Sequence, residues 1–157
     1  TLIYLLSALF VTACTSPVTQ YQQVMTVPLK VIKEHPLTTQ VRELNWQLLQ
    51  QPFFVQGAFE HGKSLYITYP SSVVSLPITH QELQRASAET LAQLNWFDIK
   101  ILTAQQRQST EMTESSYSLA ISIEKVENTS NKHTLTIELI NNRFNTVEAQ
   151  VSRVILL

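Results

Sequence analysis

The chain has 157 residues, 11 basic and 12 acidic side chains, and a formal net charge of −1. Its two glycines exclude the glycine-rich phosphate loops of nucleotide-binding enzymes, and its single cysteine excludes a disulfide framework and a multi-cysteine metal site. Because no basic block is present, we expect no nucleic-acid partner. A chain of this length can form one domain with its own core.

The N-terminal segment is uncharged as far as Lys30 and contains a short apolar run from Leu2 to Val11. This run is too short to cross a bilayer, which needs roughly 20 residues, but it has the length of the apolar region of a secretory signal peptide. Small residues follow it and lead to Cys14. We predict a signal peptide over residues 1–13, truncated at its start because neither an initiator Met nor a basic residue precedes the apolar run.

The segment Val11–Cys14 resembles a bacterial lipobox, in which a cysteine thiol takes up a diacylglyceryl group. The resemblance implies that Cys14 is lipidated, with a further acyl chain such as palmitate on its freed amine. The alternative is a buried apolar segment that happens to contain a cysteine. Several acyl chains would anchor the protein firmly, whereas one chain binds only marginally. Thr15 follows the cysteine in place of Asp, which by resemblance to known lipoproteins favours the outer membrane, with the remainder in the periplasm or, alternatively, at the cell surface.

A polar tether is predicted to follow the lipidated cysteine, over residues 14–36. It is rich in Thr, Ser, Gln and Pro, and the apolar residues between positions 24 and 32 suggest an added edge strand. The periodic sequence that follows, residues 37–157, is predicted to be a single periplasmic domain.

The domain begins with a predicted amphipathic helix. Its apolar stripe recurs at helical spacing and consists of Val41, Leu44, Leu48 and Leu49. Thr38 or Thr39 can cap its start, and Pro52 marks its end. We therefore expect a helix that buries one face.

Short strands are predicted after this helix. Phe53–Val55 is an apolar run that suggests a strand, and Ser64–Tyr69 is a strand rich in aromatic and β-branched residues. Residues 71–78 are predicted to form a loop. Tyr66 fits either burial or ligand recognition, and its place in a central strand favours burial.

Two capping boxes in the middle of the chain predict the starts of two helices. Thr79–Glu82 precedes a helix whose apolar face consists of Leu83, Ala86, Leu91 and Leu94. Residues 96–102 alternate as a strand, and Thr103–Gln106 resembles a second capping box that opens a short polar helix to about Met112. These elements lie between the early helix and the strands that end the chain.

Three alternating segments complete the sequence, at Tyr117–Val126, His133–Asn141 and Thr146–Leu156. Because short polar turns separate them, we predict an antiparallel meander. Helices early and strands late predict an α+β fold: one mixed sheet with a C-terminal antiparallel three-strand meander and helices packed mainly on one face.

Few residues suggest chemistry. The four histidines, at positions 35, 61, 80 and 133, are scattered singly, which predicts four surface histidines and no zinc site. Asp98 and Lys100 lie two residues apart on one face of a strand and predict an exposed charge pair. The serine-nucleophile motifs and the glycines of an oxyanion hole are missing, so we predict a protein without enzymatic activity, cofactor or metal.

Two tryptophans occur in matching Leu-Asn-Trp triplets, at Trp46 and Trp96. Each lies close to the end of a predicted helix, which favours the edge of the core. An exposed tryptophan would instead be a candidate for contact with a partner. The sequence alone does not identify the residues that bind a partner.

The segment Leu83–Met112 carries a family resemblance. Ala86–Leu94 matches a helix, Phe97–Leu102 the aromatic-led strand after it, and Thr103–Gln106 a Gln-rich helix start. Together with the terminal meander, this order resembles the periplasmic domain of LpoB-type outer-membrane lipoproteins, which activate a bifunctional penicillin-binding protein and are related to TolB N-terminal and CsgG-type folds.

The resemblance implies an outer-membrane lipoprotein that acts by protein–protein interaction in peptidoglycan synthesis and cell shape. Its partner would be an envelope protein such as a bifunctional penicillin-binding protein. The short tether departs from the long Pro-rich tether of family activators. Two alternatives share much of the pattern: a FlgO-like or other assembly or stabilising subunit of an envelope complex, and a PqiC-like lipoprotein of lipid transport.

Overall fold

The computed structural model describes residues 34–106 and 116–157. The predicted signal peptide, Cys14, the tether up to residue 33 with its suggested edge strand, and the end of the short helix predicted to reach Met112 lie outside the described residues. The elements within them are α1 Pro36–Leu49, α2 Pro52–Val55, β1 Ser64–Ile67, β2 Ser71–Ser72, α3 His80–Ala92, β3 Asp98–Ile101, β4 Ser116–Lys125, β5 Lys132–Asn141 and β6 Thr146–Leu156. No helix within these two ranges is long and apolar enough to cross a membrane.

The strands form one mixed sheet in the order β3-β1-β4-β5-β6, with β2 paired to β4 beside this path. β1 is parallel to both β3 and β4, and α3 supplies the crossover that connects β1 to β3. β4, β5 and β6 are antiparallel neighbours joined by short turns. The predicted α+β architecture with a terminal meander is therefore confirmed.

The core lies between the two longer helices and one face of the sheet. Alternate residues of the meander are buried there, and the largest of these side chains are Leu119, Ile121, Ile123, Leu135, Ile137 and Leu139. The opposite alternation carries Ser, Thr, Glu and exposed apolar side chains, and we call that side of the sheet the open face. The period of two along each strand therefore separates a helix-covered face from the open face.

The start of α1 differs from the prediction. His35 rather than Thr38 or Thr39 caps this helix, and its Nδ1 accepts a hydrogen bond of 3.1 Å from the backbone N–H of Leu37. Pro36 is the first helical residue, a position where its missing N–H is not needed and its fixed φ suits the helix. Thr38 consequently lies inside the first turn and is buried.

Two further predictions in this region are wrong. Phe53–Val55 is part of the short helix α2, because Pro52 stands at its first position and Phe54 packs into the core from it. The loop predicted over residues 71–78 contains β2, in which Ser71 and Ser72 pair in parallel with β4. A strand of two residues has no periodicity from which it could have been predicted.

The capping box of α3 is confirmed. Thr79 Oγ1 accepts from the N–H of Glu82 at 3.2 Å, and Glu82 Oε2 accepts from the N–H of Thr79 at 2.7 Å. Thr103 and Gln106 repeat the exchange, with Gln106 Oε1 accepting from the N–H of Thr103 at 3.0 Å. At α3 the exchange satisfies backbone donors that the first helical turn leaves without partners.

Asparagines replace glycine at several turns of the chain. Asn95, Asn128 and Asn145 adopt positive φ values of 52°, 59° and 51°. Asparagine tolerates this left-handed region better than most residues, because its side chain can bond locally to the backbone. A chain with two glycines can therefore still make tight turns after α3 and in both hairpins of the meander.

Candidate functional site

The four histidines occupy different environments. His61 is exposed, His35 and His80 are partly buried, and His133 is only 4% exposed. The prediction that all four lie at the surface is wrong for His133, because it alternates with Leu135 and Ile137 on the helix-covered side of β5. Within residues 34–106 and 116–157, no group of three or more His, Cys, Asp or Glu side chains could hold a metal ion.

The charge pair predicted on β3 is confirmed. Lys100 Nζ lies 3.3 Å from Asp98 Oδ2 and donates a 3.0 Å hydrogen bond to Ser64 Oγ. The same ammonium lies 5.5 Å from the centre of the Tyr66 ring. Tyr66 is 7% exposed, so packing within the sheet rather than ligand recognition accounts for this residue.

The two tryptophans differ in exposure, although both stand in Leu-Asn-Trp triplets. Trp96 is partly buried among aromatic rings, with its ring centre 4.8 Å from that of Phe59 and 6.0 Å from that of Phe54. Trp46 on α1 is 41% exposed. Only Trp46 therefore remains available for contact with a partner.

A groove lies beside the carboxyl ends of the parallel strands β1 and β3, next to the start of α3. We call it the strand-end groove. Its volume is ≈ 440 Å³, within the range of ligand sites, and its lining consists of Tyr69, Gln81, Gln84, Arg85 and residues 101–105. In open sheets with parallel strands, binding sites commonly lie at this end of the strands.

Gln84 forms the floor of the strand-end groove. It is 1% exposed, and its Nε2 lies within hydrogen-bond distance of the carbonyls of Ile67, Thr68 and Leu102, at 3.1, 3.1 and 2.7 Å. One side chain of α3 thus ties together the ends of β1 and β3, where the Ile67 carbonyl also accepts from the N–H of Leu102. The amide holds the groove in a fixed shape.

The walls of the strand-end groove carry groups that recognise polar ligands. The Tyr69 hydroxyl and His80 Nδ1 are 3.0 Å apart, which fixes the tyrosine ring against the first residue of α3. Arg85 is exposed on the same helix. The nearby Glu82 is engaged by Thr79: the Thr79 N–H, followed by its hydroxyl, lowers the pKa of the Glu82 carboxyl, and Arg85 adds a smaller contribution.

The composition of the strand-end groove indicates what it can bind. Amides, hydroxyls, a guanidinium and an aromatic ring suit a polar surface or peptide segment of another protein. A lipid carrier would require an enclosed apolar cavity, whereas the wall that the described residues form here includes Arg85, Gln81 and Thr103. The one sequence signal for the groove is the polar residue Gln84 beside the apolar stripe of α3.

Comparison with known proteins places this architecture among solved folds. No protein-family model matches the chain, and no curated protein matches it by sequence. The C-terminal domain of LpoB from Escherichia coli matches with a TM-score of 0.51 and 15% identity, over 78% of this chain and 100% of that domain. The domain is thus an α+β module of a known type.

Further solved structures resemble the chain less closely in TM-score. The LpoB C-terminal domain from Salmonella enterica has a TM-score of 0.49 at 15% identity, over 74% of this chain and 96% of that one. PelC from Paraburkholderia phytofirmans, solved as a dodecamer, has a TM-score of 0.45 at 19% identity, over 63% and 76% of the two chains. The particular fold is LpoB-like, a relationship of fold at low sequence identity.

Proposed function

We propose that the chain is an outer-membrane-anchored periplasmic lipoprotein that acts by protein–protein interaction and activates a peptidoglycan synthase of the penicillin-binding class. The observation that carries this proposal is the LpoB-like fold, which spans the whole of the E. coli LpoB C-terminal domain. The lipobox-like segment Val11–Cys14 supports the anchor independently of the fold. The partner and the activation are proposed for this chain by analogy with LpoB-type activators.

Activation by such a protein requires differential binding. A bound domain shifts a synthase towards its active conformation only when it binds that conformation more tightly than the inactive one. A tenfold shift in this equilibrium corresponds to about 1.4 kcal/mol of differential binding free energy. A few well-placed contacts at one docking surface can supply that amount.

The strand-end groove is the proposed docking surface. Arg and Tyr are the residue types that most often dominate the binding energy of protein interfaces, and Arg85 and Tyr69 lie together here. Gln84 and the capping box of α3 hold the surface in shape before the partner arrives, which reduces the entropy lost on binding.

Affinity capture together with a synthase rate assay tests the proposal. The full chain should retain a penicillin-binding protein from detergent-solubilised envelope and raise the rate of glycan polymerisation by the purified synthase. Arg85→Ala should weaken both effects. The matched control is Arg143→Ala, because Arg143 is exposed but lies beside Phe144 in the turn between β5 and β6. Failure to capture a synthase, combined with an unchanged rate, would refute the proposed function.

The anchor is tested separately. Metabolic labelling with a fatty acid should mark the wild-type chain, and Cys14→Ser should remove the label. Fractionation of the envelope should place the labelled protein in the outer membrane. A Cys14→Ser variant that still carried the label would show that the lipobox assignment is wrong.

A further inference from the structure

β6 forms one edge of the sheet. It has eleven residues, Thr146–Leu156, and pairs only with β5 in the part of the chain that the structure describes. A long edge strand presents a row of backbone donors and acceptors that another strand can use. The length of β6 therefore makes it a template for pairing.

The backbone groups that face outward can be identified. Leu157 donates its N–H to the carbonyl of Asn131, so Leu157 is in a hydrogen-bonded position towards β5. Hydrogen-bonded and non-bonded positions alternate along an antiparallel pair. The residues of β6 that turn their N–H and C=O groups outward are therefore Gln150, Ser152, Val154 and Leu156.

The side chains along this edge are unusually apolar for a strand whose outer edge no described strand covers. Val147, Val154 and Leu156 are 51%, 58% and 69% exposed. The register with β5 places all three on the open face, opposite Ile140, Thr134 and Lys132. Natural edge strands are commonly protected by lysine or proline, and β6 contains neither.

The charges of β6 lie at opposite ends of the strand. Glu148 follows the irregularity at Leu139 and Ile140 and accepts a 2.9 Å hydrogen bond from the Thr146 hydroxyl. Arg153 lies towards the other end and pairs with Glu43 of α1, so its side chain is on the helix-covered side. When two β6 strands lie antiparallel, the acidic end of one therefore lies beside the basic end of the other.

We propose that a second copy of this chain pairs with β6 in antiparallel orientation, about a two-fold axis near Val151, to make one continuous sheet. In this register Gln150 of each copy lies opposite Ser152 of the other, and both residues point their backbone groups outward. Glu148 comes beside Arg153 of the second copy. Val147 comes beside Val154 and Leu156 of the second copy, so the exposed apolar side chains cover one another.

Symmetry is the reason that a second copy fits better than an arbitrary strand. A two-fold interface uses the same patch twice and therefore forms each favourable contact twice. Both the charge contact and the apolar contact of β6 recur at the two ends of the paired strands. Anchoring in one membrane would raise the effective concentration of the copies and strengthen the pairing. The proposal does not depend on the identity of the synthase.

Sedimentation velocity of the full chain carrying Cys14→Ser tests the pairing without a lipid or an intermolecular Cys14 disulfide. The mass should rise with concentration towards twice the monomer mass. Val154→Lys combined with Leu156→Lys should raise the dissociation constant roughly tenfold or more, because it places charge along the shared edge. Val55→Lys combined with Val73→Lys is the matched control, since these valines are 72% and 70% exposed but lie outside β6.

Disulfide trapping tests the register in the same Cys14→Ser background. Val151→Cys should form a covalent dimer on mild oxidation because the axis brings the two copies of this position together. Val55→Cys should cross-link much less. Circular dichroism must show that each variant remains folded, and Ser152→Pro serves as a second edge variant because it removes an outward N–H while the ladder to β5 remains.

Three results would overturn the proposal. One is a wild-type chain that stays monomeric at every concentration. Another is a lysine variant that dimerises as strongly as its control. The third is a monomeric wild type whose synthase binding is lost in the Val154→Lys and Leu156→Lys variant, because that result would assign the edge to a strand of the synthase instead of to a second copy.

Discussion

The two edge strands of the sheet, β3 and β6, differ in length and in the exposed side chains that they carry. β3 has four residues, carries the Asp98–Lys100 pair, and has its carboxyl end tied to β1 by Gln84. β6 has eleven residues, three exposed aliphatic side chains and an outer row of backbone groups that no described strand uses. Both edge strands carry one acidic and one basic residue, but only β3 has the short length that protects an edge, whereas β6 is long and has exposed aliphatic side chains.

Connectivity accounts for part of this difference. β3 joins the sheet in parallel after the crossover through α3, so its pairing depends on a helix that is itself held by tertiary contacts. β6 joins through a short hairpin turn, and its pairing with β5 extends along the whole strand. The β3 side is therefore held by a ladder of four residues and a partly buried Ile99, whereas the β6 side is held by a longer ladder and a buried apolar face.

The largest loss of stability is expected when a buried side chain of the meander is shortened. Ile137 is fully buried at the centre of β5, and Ile137→Ala should lower the free energy of unfolding by about 2–5 kcal/mol. Ile99→Ala on β3 removes a partly buried side chain and should cost less than half as much. Urea denaturation of both variants measures the difference, and equal losses of stability would contradict the stronger packing of the meander compared with β3.

A smaller loss of stability, confined to β3 and the end of β1, is expected when the Gln84 amide is removed. Gln84→Met keeps much of the volume but removes the amide donor from the carbonyls of Thr68 and Leu102, whereas Ile67 keeps the N–H of Leu102; the change should cost about 1–3 kcal/mol. Hydrogen exchange should increase in β3 and at the end of β1, and should stay unchanged in β5 and β6. Gln81→Met, at an exposed position of the same helix, is the control. Uniformly faster exchange would mean that both edges unfold together.

The next largest effect on stability is expected at the N-cap of α3, the helix that connects β1 to β3. Thr79→Ala removes the acceptor for the N–H of Glu82 and should lower stability by about 1 kcal/mol. Since the folded-state pKa of Glu82 is lowered by the N–H and hydroxyl of Thr79, its contribution is present above the unfolded pKa and is lost as pH falls through the lowered pKa. Glu82→Gln should flatten this pH dependence. Thermal melting from neutral to acidic pH measures it, and an unchanged profile would contradict the assignment.

The smallest effects on stability are expected from the exposed ion pairs. Asp98→Asn on β3 and Arg153→Gln on β6 should each cost less than about 1 kcal/mol, because solvent screens these pairs. The two variants should differ in association: Arg153→Gln should weaken the proposed pairing of two copies, and Asp98→Asn should leave it unchanged. Denaturation curves of the two variants measure stability, and sedimentation velocity measures association. Equal association of the two variants would contradict the proposed role of the β6 edge.

The meander and α3 were predictable because each depends on a strong local pattern. Alternation over about ten residues sets β4, β5 and β6, and a Thr and a Glu three residues apart set the start of α3. The cap of α1 was missed because His35 is an uncommon capping residue, and α2 because three apolar residues fit a helix and a strand equally well. Local patterns are weakest in such short segments.

The strand-end groove could not be predicted, for a different reason. Its residues come from three separated segments, around Tyr69, around Gln84 and over 101–105, and only the parallel pairing of β1 with β3 brings them together. No local pattern encodes that pairing. The edge at β6 was foreseen as a strand, but its position at the end of the sheet depends on the order of all the strands.

The hairpins that join β4, β5 and β6 have a kinetic consequence. Their pairings connect residues that are close in sequence, whereas the contact between β1 and β4 spans about fifty residues, from Leu65 to Tyr117. Nearby pairings cost less chain entropy to close, so they should form first during folding. The meander is thus expected to be the nucleus on which β1 and β3 later assemble. A newly made chain would expose its β6 edge before its strand-end groove exists.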